Sequence, residues 1–236
     1  MDPAEYAMMD VAEDQMWWYR ALHVRLRDAL TGVTGRVLDT GCGTGGFLKI
    51  IRALPRLECF GVEYAWEAAD RARAKSDATI VQGSINLLPF ASASFDAAIA
   101  ADVLCHAAVE PTAALAELHR TLRPGGRLII NMPAYDWLMS AHDSRVHNAR
   151  RQTVGQTKSM LLKAGFHHIR ARYWNCLPLP LMVVQRKILA RGGASSDVAP
   201  FPPWLDRILH GMTEVDRRLP IPPPFGGSVL AIAERP

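Results

Sequence analysis

Val37-Leu38-Asp39-Thr40-Gly41-Cys42-Gly43-Thr44-Gly45-Gly46-Phe47 is the stretch whose reading decides the fold. Val37 and Leu38 are apolar in succession, as a strand covered on both faces requires. Asp39 stands at the tip of that strand, and the glycines after it make a turn from which Phe47 enters a helix. Glycine reaches positive φ without strain, and its missing Cβ lets a ligand approach the backbone. The free amides at the start of the helix face the same point. The stretch is a cradle for a small molecule at the carboxyl end of a strand.

Gly41, Gly43 and Gly46 also satisfy the G-x-G-x-x-G spacing that nicotinamide and flavin enzymes share. Asp39 separates the options, because a carboxylate just before the glycines suits an ammonium or sulfonium and repels a pyrophosphate. The next predicted strand, Leu57 to Glu63, ends in a second acid where a ribose-binding carboxylate belongs in a doubly wound sheet. One carboxylate there accepts from both ribose hydroxyls, with charged-acceptor bonds contributing about 1.5–3 kcal/mol each.

Taken together, these residues resemble the class I S-adenosylmethionine-dependent methyltransferases over roughly Arg36 to Tyr173 and, more loosely, over the final strand. The resemblance implies S-adenosylmethionine as cofactor, S-adenosylhomocysteine as product, and in-line methyl transfer to an O, N or C atom of a small, partly apolar molecule. It places Asp39, Gly41, Cys42, Gly43 and Gly45 around the methionine part of the cofactor, Glu63 and Tyr64 at its ribose, Gly83, Ser84 and Ile85 at its adenine, and Ala101 at the end of the fourth strand. Ser84 stands where the family has an aspartate. Two alternatives stay open: a cofactor-binding protein with other chemistry, and an NAD-dependent oxidoreductase.

The segment Ser94 to His106 resembles the family's fourth strand and the loop beyond it, with Cys105 in place of a glutamate and His106 retained. His106 is a candidate general base, a pocket wall, or a residue that orients the loop. Asp102 and His106 lack a third ligand, so no metal is expected. Beyond the fifth strand, Pro133-Ala134-Tyr135-Asp136-Trp137-Leu138-Met139-Ser140-Ala141-His142-Asp143, followed by His147, Arg150 and Arg151, is similar to a bacterial subset of these enzymes. By the rule for open α/β sheets this loop borders the acceptor. Three readings stand: His142 backed by Asp143 or Asp136 as a base, Arg145, Arg150 and Arg151 as an anion receptor, or charges that pair with one another and hold the loop. Candidate acceptor contacts are Trp18, Tyr19, Tyr135, Trp137 and Arg151. Trp66 is placed either to cover adenine or to pack in the core.

The expected fold class is α/β, a doubly wound seven-stranded mostly parallel sheet with an antiparallel last strand. A helical leader over residues 1–35, read as one helix from Pro3 to Leu30, is a lid over the cofactor by the resemblance, or a helix that Trp17, Trp18 and Tyr19 only dock on the core. The core spans 36–174, a proline-rich apolar insertion 175–225, and the terminal strand 226–236. At 236 residues with 49% hydrophobic content, one domain with flanks is the natural size. The net charge of +4 comes without a basic run, so nucleic acid is not a favoured partner. Cys42, Cys59, Cys105 and Cys176 show no C-x-x-C pairing, and with no leader peptide or 18-residue apolar run the expectation is a cytoplasmic protein without a transmembrane segment. The insertion is read as a pocket roof, a homodimer contact or a membrane-resting surface.

Overall fold

Val37 and Leu38 lie fully buried in the middle of β1 (Gly35–Thr40), between β2 (Leu57–Glu63) and β4 (Phe95–Ala101). The computed structural model describes residues 3–140, 143–144, 146–187 and 201–236. With β3 (Thr79–Gln82), β5 (Leu122–Pro133), β6 (His167–Trp174) and β7 (Ser228–Glu234) these strands form a seven-stranded sheet in the order β3-β2-β1-β4-β5-β7-β6. β7 is antiparallel to both of its neighbours and the other strands point the same way.

Successive strand residues face opposite sides, so the two neighbours Val37 and Leu38 seed two cores. Leu38 joins Phe95, Leu115, Leu118, Leu128 and Phe166 under α5 (Pro111–Thr121) and α6 (Val154–Lys163). Val37 joins Leu22, Leu26, Leu48, Ile51 and Ile129 on the other side, under α2 (Trp17–Ala29) and α3 (Gly46–Arg52). α4 (Trp66–Ser76) contributes Ala69 and Ala72 to that second core.

The leader departs from the single helix expected. α1 (Pro3–Gln15) ends where Met16 turns to extended backbone, φ −72° and ψ 134°, and α2 starts at Trp17. The break is held from outside the leader, since the Trp17 N–H donates to Asp206 Oδ1 at 2.7 Å. α2 is a layer of the core, whereas α1 crosses the glycine turn. The insertion contains α7 (Leu179–Lys187) and α8 (Pro203–Arg218). α8 is clamped on α2: buried Arg25 donates to the Thr213 carbonyl at 2.6 Å and lies 4.5 Å over the Trp174 ring, and Arg217 pairs with Asp28 at 2.9 Å.

Strand order reverses between β1 and β4, and the crevice beyond their carboxyl ends is where open α/β sheets hold ligands. A polar cavity of about 250 Å³ sits at the opposite end, lined by Thr34, Asp96, Arg123 and Arg127 among others, away from the glycine turn.

Candidate functional site

Asp39 is only 4% exposed, and its carboxylate has no hydrogen-bond partner among the described residues. Burial, then the neighbouring Glu13 and Glu63 carboxylates, push it up to about 8. Its neutral form is favoured there, and a cation placed against it would favour the carboxylate. The turn that follows is fixed by the Gly41 and Cys42 amides, which donate to the Val62 carbonyl at 2.7 and 3.1 Å. Gly41 has φ 70°, and a Cβ there would sit 2.4 Å from Val103 Cγ2, so no other residue fits without movement. Glu63, buried at the end of β2, accepts the Gly43 amide at 2.9 Å through Oε2 and the Ala65 amide at 3.0 Å through Oε1. Each oxygen keeps lone-pair capacity for a hydroxyl.

Glu13 is a site residue that the sequence reading did not single out. From α1 its Oε2 accepts the Gly46 amide at 2.8 Å, capping α3, whose own N-cap is the side-chain-free Gly45. A Cβ on Gly46 would lie 2.4 Å from that oxygen, and one on Gly43 would lie 2.8 Å from Met9 Cε. Lys75 on α4 pairs with Glu13 at 3.2 Å and with Asp10, while Arg71 reaches Asp10 at 3.1 Å and Lys49 reaches Asp14 at 3.0 Å. Tyr6 completes this cover, its phenol pushed up to about 12 by burial and then by Glu63 and Glu67. The signal was present as three acids at i, i+3 and i+4, which share one helix face.

On the expected adenine side, the Gly83 amide donates to the Glu63 carbonyl at 3.0 Å and the Ser84 hydroxyl accepts from the Asn86 amide at 3.2 Å. Ile85 is buried and belongs to the same core cluster as Val62. The Tyr64 side chain is exposed, and Trp66 is exposed with Arg73 5.4 Å over its ring, so Trp66 does not pack in the core. Cys42 is buried, and its thiol is pushed up by burial and the surrounding acids; Ala101 is half-buried at the end of β4.

The expected acceptor side starts at Asp102, a non-glycine residue with φ 54° just past β4. Its two carboxylate oxygens accept from Asn131 Nδ2 at 3.0 and 3.1 Å, and Trp174 Nε1 donates to Asn131 Oδ1 at 2.8 Å. Burial raises Asp102 to about 6 against the pull of the Asn131 bond. Trp18 stacks on Trp174 at 6.3 Å and Tyr19 meets Trp18 edge-on at 5.1 Å, so the α2 aromatics lead to this network. His106 Nδ1 is 3.0 Å from the Val146 carbonyl. That carbonyl only accepts, which makes Nδ1 the protonated nitrogen and leaves Nε2 free to take a proton. Burial lowers the His106 pKa, so the ring is neutral near pH 7.

The loop after β5 is stitched to the loop after β4. The Ala107 amide donates to the His147 carbonyl at 2.9 Å, the Ala149 amide to Cys105 at 2.8 Å, and Arg150 Nη1 bonds the carbonyls of Leu104, His106 and Val109. Arg151, expected as a substrate contact, is instead buried and grips Asp143 with Nη2 at 2.7 and 2.9 Å and Nε at 3.1 Å. Asp143, expected to back a catalytic histidine, also accepts the Ser140 amide at 2.9 Å. The pairing of Arg151 with Asp143 is the arrangement of the third reading, in which charges of the loop hold one another. His142 and Arg145 lie outside the described residues. Tyr135 stacks on Tyr173 at 5.3 Å and faces the exposed Trp137 at 5.8 Å. Among the described residues no three His, Cys, Asp or Glu side chains converge to hold a metal ion.

A seven-stranded sheet in this order, with an acid and a glycine turn after β1 and a second acid after β2, is the class I S-adenosylmethionine-dependent methyltransferase fold. Residues 38–130 match the family described as a methyltransferase domain. A relative named O-methyltransferase cnsE, from Penicillium expansum, is 27% identical over 70% of this chain and 62% of its own length. The ubiquinone/menaquinone biosynthesis C-methyltransferase UbiE of Syntrophotalea carbinolica is 34% identical over 50% of each chain. This chain therefore spans about half the length of such curated relatives. Phosphoethanolamine N-methyltransferase 2 of Haemonchus contortus, solved with S-adenosylmethionine, shares the fold with a TM-score of 0.66 at 16% identity, covering 100% of this chain and 57% of that one. The unpartnered Asp39, the turn with no room for a Cβ and the Glu63 oxygens fit that cofactor.

Proposed function

We propose that the protein transfers a methyl group from S-adenosylmethionine to an oxygen, nitrogen or carbon of a small, partly apolar molecule. The observation that carries this reading is Asp39, buried and without a hydrogen-bond partner at the tip of β1, beside the glycine turn and one strand from Glu63. When bound, the cofactor would supply an electrophilic methyl on a sulfonium. Asp39 holds the positive end, the turn amides and Glu63 orient the ribose side, and α1 keeps water out with Met9, Tyr6 and Glu13. Holding two reactants in near-attack geometry contributes on the order of 7–11 kcal/mol in favourable cases.

An acceptor that must lose a proton has two groups on this side, the Asp102 carboxylate and His106 Nε2, and a positioned base contributes about 10² to 10⁴ in rate. The preference for an apolar body rests on Trp18 with Trp174 and Tyr135 with Tyr173, two aromatic pairs that border the crevice. The four free cysteines suit a reducing compartment, and we place the protein in the cytoplasm. No described helix is long and apolar enough to cross a membrane.

Calorimetric titration with S-adenosylmethionine and S-adenosylhomocysteine, followed by S-adenosylhomocysteine release with candidate phenols, amines and carboxylic acids, tests the reading. Saturable binding of both ligands and acceptor-dependent release support it. Failure of the folded protein to bind either, with NADH bound instead, overturns it.

A further inference from the structure

α8 carries an outward stripe that the proposed activity does not use. Trp204 is 63% exposed, Ile208 52% and Val215 55%, and Leu219 follows just beyond the helix end, also exposed. At about 100° per residue these four fall within roughly 60° of one another, and Arg207 and Arg218, both exposed, fall together along one border. Two of the three acids of the same helix, Asp206 and Asp216, are turned away, and Glu214, on the arginine border, is engaged by arginines. Asp206 takes Arg20 and the Trp17 amide, Asp216 takes the Asn175 amide at 2.6 Å beside buried Arg25, and Glu214 holds Arg217 at 2.8 Å, with Arg218 3.8 Å away. Ile221, 76% exposed, and Phe225 extend the apolar surface along the segment that leads to β7.

We infer that this face of α8 docks on an anionic lipid surface, with Trp204, Ile208, Val215 and Leu219 in the headgroup–acyl boundary and Arg207 and Arg218 at the phosphates. A helix with an apolar stripe, a tryptophan at one end and a border on which arginines outnumber acids lies in the plane of a bilayer and does not cross it. Charge decides between lipid and a second copy of the chain. A second copy offers the same cationic border, whereas an anionic leaflet offers the opposite charge, and the chain's net charge of +4 acts in the same direction. α8 is pinned to α2 through Asp206 and Arg25, so the docked face is rigidly joined to the helix whose aromatics border the acceptor crevice. The inference stands apart from the methyl-transfer reading.

Cosedimentation with phosphatidylcholine vesicles, with and without phosphatidylglycerol, tests it on the intact protein. The expected result is binding to the anionic vesicles alone. Arg207→Gln with Arg218→Gln should weaken it about 30-fold, the combined effect of two arginines near an anionic leaflet, and Ile208→Glu should abolish it. The arginine variant removes no buried contact, so it reads the interaction even if Ile208→Glu unfolds the protein. Failure of the folded wild type to sediment with anionic vesicles overturns the inference. So does binding unchanged by both variants, or an Ile208→Glu protein that only loses a dimer in size-exclusion chromatography.

Discussion

Asp39→Asn isolates the charge on which the cofactor reading rests. With its pKa pushed up to about 8, the Asp39 side chain of the cofactor-free protein is roughly nine-tenths protonated at pH 7 and almost wholly so at pH 6. A cationic ligand needs the carboxylate, so binding should expel close to one proton per site at either pH. Apparent affinity should rise about tenfold from pH 6 to 7, one decade per unit below the pKa. Titrations of S-adenosylhomocysteine in two buffers of different ionisation enthalpy read the proton directly, and this range lies below the titration of an α-amino group, about 7.7–8.0. In Asp39→Asn both the proton release and the pH slope should vanish, with affinity lower by about 10- to 150-fold for one lost charged hydrogen bond. The stability effect has the opposite sign. A carboxyl raised in the folded state costs stability as pH rises from its ordinary value near 4 towards 8, so the variant's melting temperature should overtake the wild type's across that window. Proton release and affinity unchanged by the substitution would refute the placement of Asp39 against a cation.

Lys75→Met should leave Glu13 buried without its cation and free α1, costing about 2–4 kcal/mol; a chemical melt and limited proteolysis around Met16 check it, and an unaltered midpoint would contradict the clasp. Arg151→Met should cost about 3–5 kcal/mol by taking the buried cation away from Asp143, whereas a change in acceptor KM at unchanged melting temperature would return Arg151 to the substrate. His106→Ala and Asp102→Asn should each lower kcat with a proton-losing acceptor, by up to about 10² to 10⁴, with S-adenosylhomocysteine affinity kept. For Asp102, wild-type turnover should rise through about pH 6 as the carboxylate forms, and a profile flat through that region in wild type would remove it as a base.

The part of the fold that repeats a local rule was legible in the residues. Val37-Leu38 before the glycines and Glu63 closing the next apolar run each state a strand end in their own composition. The site residues on β1 and β2 were legible for the same reason, since a strand tip and its turn are neighbours in sequence. What stayed hidden depends on distant pairing. Nothing near Met16 says that the leader breaks there, because its new first-turn amide is taken by Asp206 far along the chain. Arg151 reads as a free guanidinium until Asp143 is seen against it. Glu13, Asn131 and Trp174 have no motif, and each acquires its place only through a partner on another element.

The position of β7 bears on how the molecule is assembled during synthesis. β5 and β6 never touch as strands; the segment from Ser228 to Glu234 is slotted between them, antiparallel to both. Until that segment has left the ribosome, β6 has no ladder to join, and both Asn131 on β5 and Trp174 on β6 wait for it to set their spacing. The first five strands can form while translation continues, but the edge of the sheet that carries β6 waits for a segment made after both helices of the insertion. A newly made chain should therefore gain the glycine turn after β1 before β6 takes its place in the sheet.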